Sequence, residues 1–264
     1  MPENLKKIDE LTLKDIASIC DHTFLKRSEQ YLEKAEEKKI SSALLREKDF
    51  YGFLSDALSN SPCRPYALCV RPEDCDMASS ILADYSVKDV KIASVVGFPD
   101  GSWYSTDHKI AEARIAINSG ASEIDMVLDY KELKKWHVGN AAFDVKEVAE
   151  YCHSRKSLVK LILEACELNE KEIRQACDIA TKYNVDFVKT STGFGWRGAS
   201  VEDLKIMKAN FSGGIKIAGG VNIKNYKELL NAASGRDDGY IDLYPLKVRI
   251  GERKFLNELR KEGL

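Results

Sequence analysis

The stretch Asp186–Phe187–Val188–Lys189–Thr190–Ser191–Thr192–Gly193–Phe194–Gly195 has the pattern of a short buried strand that ends in a glycine-containing loop. Lys189 lies inside the strand, between Val188 and Thr190. Lysine is rarely fully buried, because removing its charge from water is costly. A buried lysine can lose its proton, and the neutral amine is a nucleophile toward carbonyls. Alternatively, the long side chain of Lys189 reaches solvent or pairs with a carboxylate.

Two further stretches combine a buried strand with an internal charge. Ile215–Lys216–Ile217–Ala218–Gly219–Gly220 places a second lysine in a strand, and Glu123–Ile124–Asp125–Met126–Val127–Leu128 places a carboxylate in a third strand. Two lysines on adjacent strands favour a free amine on one of them, because a nearby cation and partial burial both disfavour the charged form. Lys216 could instead be a solvated strand end or pair with Glu164 or Asp125.

Together these stretches resemble the deoxyribose-phosphate aldolase family, whose members are class I aldolases on a TIM barrel. The matching segments are Asp21–His22–Thr23, Gly97–Phe98–Pro99, Gly120–Ala121 with Glu123–Ile124–Asp125–Met126–Val127, Phe187 to Gly195, and Lys216 with Ala218–Gly219–Gly220. The resemblance implies that Lys189 forms an imine with the substrate, that Lys216 is its cationic neighbour and that Asp125 relays protons. The residues alone do not decide which lysine is the nucleophile, and Asp125 could equally be a buried salt-bridge partner.

The resemblance also implies a set of substrate-binding residues: Asp21, Thr23, Cys69, Thr192, Gly193, Gly195, Gly219 and Gly220. Asp21 and Thr23 could instead form hydrogen bonds within the fold, and Cys69 could be a small buried side chain. Lys160, in the fifth predicted strand, is a third barrel lysine, and we expect it to pair with a carboxylate.

The segment after the eighth predicted strand departs from the family pattern. The family binds a substrate phosphate with amides of glycine loops and with small hydroxyl residues at this place, whereas here Gly251 is followed by Glu252, Arg253 and Lys254. We expect Arg253 or Lys254 to hold the anionic end of the substrate, since successive helical residues point in different directions. Alternatively, both cations face solvent and glycine amides hold the phosphate alone.

Eight predicted strands alternate with helices of about ten to fifteen residues, the pattern of parallel βαβ units. The predicted strands are 19–23, 66–70, 91–96, 123–128, 158–165, 187–191, 215–218 and 248–251. The chain has 264 residues, close to the ~250 of a (β/α)₈ barrel. We therefore predict an α/β fold with one domain over residues 1–264, a TIM barrel with a short N-terminal helical extension at 4–19. The Glu- and Lys-rich segment 26–60 is predicted to form one or two amphipathic helices.

Composition excludes several classes of protein. With 40 Lys+Arg against 42 Asp+Glu, we expect neither a nucleic-acid binder nor a membrane-surface binder. No apolar run approaches the ~18 residues of a membrane span, and residues 1–7 are polar, so we expect a cytoplasmic protein. The seven cysteines and four histidines are scattered and lack zinc-site spacing, so neither a metal nor an organic cofactor is expected.

The resemblance implies that the chain interconverts 2-deoxy-D-ribose 5-phosphate with acetaldehyde and D-glyceraldehyde 3-phosphate, as a homodimer or larger homo-oligomer. Two alternatives remain. An imine-forming aldolase could act on a different substrate, because the segment after Gly251 is altered. A barrel could also be retained as a protein-binding module with weak activity, with residues 26–60 as its contact surface. The paired barrel lysines argue against the module, because binding alone does not require them.

Overall fold

A closed barrel of parallel strands forms the centre of the fold. The computed structural model describes residues 4–58, 63–135 and 137–263, so the first three residues of the polar stretch 1–7 and the last two of segment 26–60 lie outside the described residues. The strands in these ranges are β1 Leu5–Lys7, β2 Cys20–Thr23, β3 Ala67–Val70, β4 Lys91–Val96, β5 Glu123–Val127, β6 Leu158–Ile162, β7 Phe187–Lys189, β8 Gly214–Ala218, β9 Tyr240–Asp242 and β10 Val248–Glu252. The barrel closes in the order β10-β2-β3-β4-β5-β6-β7-β8, and neighbouring strands are parallel.

Helices connect the barrel strands. Those in the described ranges are α1 Leu13–Ala17, α2 Leu32–Lys38, α3 Ser42–Leu58, α4 Cys75–Asp84, α5 Thr106–Asn118, α6 Tyr130–Lys134, α7 Val138–Ser154, α8 Glu170–Lys182, α9 Val201–Asn210, α10 Tyr226–Ser234 and α11 Phe255–Lys261. No helix within the described ranges is long and apolar enough to cross a membrane. The predicted (β/α)₈ barrel is confirmed, and its eight strands are β2 to β8 and β10. The fifth predicted strand ends earlier than expected, because Glu164 adopts a left-handed backbone conformation with φ of 52°.

The prediction for residues 4–19 is only partly correct. Thr12 caps α1 as its sequence position suggests, and its hydroxyl accepts from the Asp15 amide. Residues Leu5–Lys7, however, form β1, which pairs antiparallel with β9 near the other end of the chain. A three-residue strand is too short for its side-chain alternation to be recognised.

The segment 26–60 contains two helices, as predicted, and the second of them belongs to the core. Phe50 and Phe53 of α3 are buried against Phe24, with ring centroids 5.1 and 5.5 Å apart. The His22 ring of β2 stacks on Phe53 at 4.5 Å. Burial and the nearby Arg253 and Arg260 cations lower the pKa of His22 to about 3, so His22 is a neutral packing residue.

Local sequence signals explain why α8 forms where it does. Asn169 accepts from the Glu172 amide while Glu172 accepts from the Asn169 amide, which is a capping box. Ile173, Ala176 and Ile179 then recur at helical spacing and are buried. Such amphipathic helices pack their apolar stripes on the barrel and hold its strands closed.

One buried ion pair joins two helices to the barrel wall. Lys109 of α5 is fully buried, and its Nζ donates to the Val127 carbonyl of β5 at 3.0 Å and to the Asp144 carboxylate of α7. Gly97 leaves room for this lysine, because a Cβ there would lie 2.6 Å from Lys109 Cε. A buried cation of this kind is tolerated only while its partners are present.

We therefore expect Asp144→Ala to lower the free energy of unfolding by about 3–5 kcal/mol, because it leaves the Lys109 charge buried with no carboxylate beside it. The control is Glu170→Ala, which removes the exposed ion pair with Arg174 and should cost less than about 1 kcal/mol. Urea denaturation of both variants measures the difference. Equal costs would contradict the structural role of the Lys109–Asp144 pair.

Candidate active site

The charged side chains predicted for the site meet inside the barrel. Lys189 ends β7 and Lys216 lies in β8, and their Cα atoms are partners in the parallel register. Asp125 of β5 lies opposite Lys160 of β6 in the same way. Side chains alternate between the two faces of a strand, so the apolar neighbours face the helices while these charges face the interior. None of the four is more than 2% exposed, which excludes a solvated role for either Lys189 or Lys216.

Asp125 is the junction of the three barrel lysines. Its Oδ2 lies 2.9 Å from Lys189 Nζ and 2.8 Å from Lys216 Nζ, and its Oδ1 lies 2.7 Å from Lys160 Nζ. The expected pairing of Lys160 with a carboxylate is confirmed. Asp125 is therefore a salt-bridge partner, as the alternative interpretation proposed, in a place from which it can also reach a molecule bound to Lys189.

Six buried charged residues form a closed cycle in which the sign of the charge alternates. We call this cycle the charge ring, and its members in order are Asp125, Lys160, Glu123, Arg249, Asp21 and Lys216. The N–O distances around it run from 2.5 to 3.0 Å. Lys189 is attached to the ring through Asp125, its only ion-pair partner within the described part of the chain.

The ring fixes the protonation of its members. Burial opposes the charge of Asp125, but the neighbouring lysine cations, Lys160 foremost, outweigh burial and hold its pKa well below the ordinary value. Burial likewise opposes the charge of Lys216, but Asp125 and Asp21 hold its pKa well above the ordinary value. The pKa of Asp21 is lowered in the same way, by Lys216 and Arg249 acting against burial. The site therefore contains a permanent carboxylate and a permanent ammonium beside Lys189.

A cleft of about 360 Å³ opens above this network, and Lys189 is one of its lining residues. The other predicted site residues that line it are Thr23, Thr192, Gly193, Gly219, Gly220 and Arg253. Those that are buried in the barrel and do not line it are Asp21, Cys69, Asp125 and Lys216. Gly195 and Lys254 lie outside the cleft lining. Catalytic groups at the carboxyl ends of barrel strands are the rule for this fold.

Several predicted binding residues also have internal partners. The Thr23 hydroxyl donates to the Asp21 carbonyl at 2.8 Å, and the Thr192 hydroxyl donates to the buried Glu164 carboxylate. Gly195 permits a close approach, because a Cβ there would lie 2.7 Å from Cys166 Sγ. These contacts fix the loop after β7 beside Lys189.

Cys69 joins the charged network to an apolar wall. Its Sγ lies 3.9 Å from Asp125 Oδ2, and it packs in a buried cluster with Ala93, Val95 and Val127. Burial raises the pKa of the thiol, so Cys69 is a neutral group. It offers a small apolar surface next to the carboxylate.

The two cations after β10 differ in position. Arg253 lines the cleft, and both Nη atoms donate to the Asp49 carboxylate of α3. Lys254 is exposed and lines neighbouring surface depressions instead. Arg253 is thus the one of the pair that can meet a molecule in the cleft.

Comparisons with known proteins identify the family of the chain. The model of the DeoC/LacD family aldolases matches residues 34–239, well over half of the chain. The chain belongs to the DeoC/LacD aldolase family. A deoxyribose-phosphate aldolase from Caldanaerobacter subterraneus subsp. tengcongensis is 39% identical over 98% of this chain and 99% of that protein. Another from Aciduliprofundum boonei is 38% identical over 84% of this chain and 91% of that one. The crystal structure of a putative deoxyribose-phosphate aldolase from Coccidioides immitis superposes with a TM-score of 0.69 at 28% identity, covering 95% of this chain and 87% of that chain.

Glu123 and Arg249, two ring members of this DeoC/LacD aldolase, were given no role by the sequence, and Lys160 was expected only to pair with a carboxylate. Both Glu123 and Arg249 carried a signal. Glu123 precedes Asp125 by two positions, so the two carboxylates share a strand face, and Arg249 is a charged residue inside a strand. Arg249 also lies over the Tyr66 ring, with its guanidinium carbon 3.6 Å from the ring centroid.

Gly251 is a third residue that the prediction did not place in the site. A Cβ at this position would lie 2.9 Å from Lys216 Cε. Because Gly251 has no side chain, Lys216 can extend toward Asp21 and Asp125. Glycine at the end of the eighth strand is a packing requirement of the charge ring.

The lowered pKa of Asp21 predicts a particular dependence of stability on pH. The folded carboxyl stays charged below ~4, where the unfolded one takes up a proton, so this stabilisation is present above pH ~4 and is lost as the pH falls. Asp21→Asn removes the titration and should flatten the slope of unfolding free energy against pH by up to about 1.4 kcal/mol per unit. Urea denaturation between pH 5 and 3 measures the slope, with the exposed Asp84→Asn as control. An unchanged slope in Asp21→Asn would show that the ring does not hold this carboxylate charged.

Proposed function

We propose that this chain is a class I aldolase that cleaves 2-deoxy-D-ribose 5-phosphate to acetaldehyde and D-glyceraldehyde 3-phosphate and catalyses the reverse addition. Membership of the DeoC/LacD family and the names of the relatives support this carbon–carbon lyase reaction. The observation that carries the proposal is the position of Lys189, which lines the cleft while its Nζ shares one Asp125 oxygen with Lys216.

Charge balance favours a neutral amine at Lys189. The charge ring contains three carboxylates and three cations and is neutral by itself. Each ring cation has two carboxylate partners, whereas Lys189 shares Asp125 with two other lysines. A charged Lys189 would leave a surplus positive charge in a buried site, which is costly. The free amine is the form that attacks a carbonyl.

The imine then supplies the electron sink for carbon–carbon cleavage. Lys189 Nζ attacks C1 of the open-chain sugar, and the carbinolamine loses water to give a protonated imine. As the C2–C3 bond breaks, its electron pair moves toward the imine nitrogen, the C3 hydroxyl loses its proton and C3 becomes the aldehyde carbon of glyceraldehyde 3-phosphate. The enamine takes a proton at C2, and hydrolysis releases acetaldehyde and Lys189. The imine provides the activation, so the proposed reaction needs no metal or organic cofactor.

The neighbours of Lys189 have distinct proposed roles in these steps. Asp125 stays ionised and is placed to accept a hydrogen bond from a substrate hydroxyl or water, which makes it the proton relay. Lys216 stays a cation and keeps Lys189 in its reactive form. Asp21 holds Lys216 from the other side, and Cys69 offers an apolar surface to the two-carbon fragment. The hydroxyls of Thr23 and Thr192, together with the amides of Gly193, Gly219 and Gly220, are proposed to contact the rest of the sugar. Gly195, outside the cleft lining, is proposed to shape the loop beside them.

The family resemblance supports three further proposals about the whole protein. Residues 1–264 form one domain, the enzyme is cytoplasmic, and it assembles as a homodimer or larger homo-oligomer. Sedimentation of the purified chain would measure the assembly directly.

We expect Lys189 to be the residue that becomes covalently attached to substrate. Sodium borohydride added with 2-deoxyribose 5-phosphate or acetaldehyde should reduce the imine to a stable secondary amine on Lys189, because borohydride traps the intermediate before hydrolysis. Peptide mass spectrometry locates the adduct, and Lys189→Arg is the control that should give none. An adduct confined to Lys216 or Lys160 would reverse the assignment.

We expect Lys216→Leu to move the pH optimum of imine formation upward. The substitution removes the neighbouring cation, and a like charge nearby disfavours a charged amine. Trapping rates measured from pH 6 to 10 follow the change. Lys216→Arg keeps the charge and should retain the wild-type optimum even where its size slows the reaction. A Leu variant with the wild-type pH profile would be evidence against the cation-neighbour role.

A further inference from the structure

A carboxylate of the chain already occupies backbone amides at one end of the cleft. Glu252 Oε1 accepts from the Val221 N–H at 3.3 Å, and Oε2 accepts from the Arg253 N–H at 3.3 Å. We call the N–H groups of Val221 and Arg253 the amide cradle. Convergent backbone N–H groups in a turn of this kind form an anion-binding concavity.

The amide cradle lies at the edge of the cleft that contains Lys189. Gly219, Gly220, Glu252 and Arg253 line that cleft together with Lys189, and Val221 lines the adjoining depression that shares Gly220, Glu252 and Arg253. Gly219 and Gly220 have φ values of 83° and 75°, a conformation that glycine adopts without strain. The loop turns at this edge of the cleft, and the Val221 amide that follows it meets Glu252.

The cation beside the amide cradle already has an anionic partner, so it does not favour the binding of a second anion. The Arg253 guanidinium is compensated by Asp49, to which it donates two hydrogen bonds, and Asp49 also accepts from the Tyr31 hydroxyl. Lys26 lines the cleft but is exposed at its edge. A phosphate entering this end would meet the Glu252 carboxylate before it met the amides. Burial raises the pKa of Glu252, and the cradle amides oppose that rise in part, as expected of a carboxylate held on N–H donors.

We propose that Glu252 is a specificity-determining residue that occupies the amide cradle and shifts the aldolase toward substrates whose distal end carries no phosphate. The proposal rests on the aldolase function above and adds a substrate class to it. The enzyme cleaves 2-deoxyribose and related unphosphorylated hydroxyaldehydes with an efficiency comparable to that for their phosphates. A phosphorylated substrate must displace Glu252 from the cradle, whereas a terminal hydroxyl can donate a hydrogen bond to the carboxylate.

The kinetic test compares two substrates in three variants. The measured quantity is the ratio of kcat/KM for 2-deoxyribose 5-phosphate to kcat/KM for 2-deoxyribose. Glu252→Ser empties the cradle and should raise this ratio at least tenfold over wild type, whereas Glu252→Gln removes the charge but keeps the bulk and should raise it less. Glu258→Ser is the matched control, because Glu258 is an acid of α11 that does not line the Lys189 cleft and should leave the ratio unchanged.

A binding test separates this inference from the proposed function. Isothermal titration calorimetry with inorganic phosphate should show at least tenfold tighter binding to Glu252→Ser than to wild type or Glu258→Ser, whether or not any variant is an aldolase. Thermal melting confirms that each variant is folded, and Glu252→Gln replaces the serine variant if that one is not. Absence of turnover and of a Lys189 adduct with both sugars would overturn the proposed function. Unchanged substrate ratios and unchanged phosphate affinity in both Glu252 variants would overturn the role of Glu252.

Discussion

The structure depends on one constraint, the mutual compensation of charges that the barrel encloses. Removing a charge from water is tolerated only when a partner of opposite sign stays within contact distance. The charge ring meets this condition with six members whose signs alternate, drawn from β2, β5, β6, β8 and β10. A barrel that failed to close at β10 would leave Asp21 and Glu123 without Arg249. The charge ring can therefore form only when the barrel closes, so barrel closure also assembles the site.

The same charge balance supports the proposed role of Lys189. The charge ring is neutral by itself, so a further buried positive charge would be costly. In the proposed mechanism Lys189 therefore acts as an amine nucleophile, while Asp125 remains close enough to act on a bound molecule. Such a site is sensitive to substitution of Lys160 or Lys216, because removing either cation leaves Asp125 with one partner fewer besides Lys189.

The sequence allowed the barrel to be predicted from local pattern, and the family resemblance named the charged residues that meet inside it. Short apolar strands between amphipathic helices indicate βαβ units, and a charged residue inside a buried strand marks the interior. The contacts that could not be predicted join distant parts of the chain. Arg249 meets Glu123 across 126 positions, and β1 pairs with β9 through only three residues. Which of Arg253 and Lys254 lines the cleft could not be predicted either. It depends on the turn into α11, which sets the direction of each side chain and cannot be recognised from composition.

The two ends of the cleft differ in how strongly their residues are constrained. At the inner end, Asp125, Lys216 and their partners each have several contacts, so a substitution disturbs both folding and chemistry. At the outer end, Glu252 contacts backbone amides. These amides are part of the main chain, so they are present whatever residue stands at position 252. A change of residue there alters what the amides bind without unbalancing the barrel. This physical difference explains how the chain can keep the inner residues that resemble its family while departing from the family pattern immediately after Gly251. In TIM barrels generally, the loops after the strands vary with the substrate while the barrel itself stays the same.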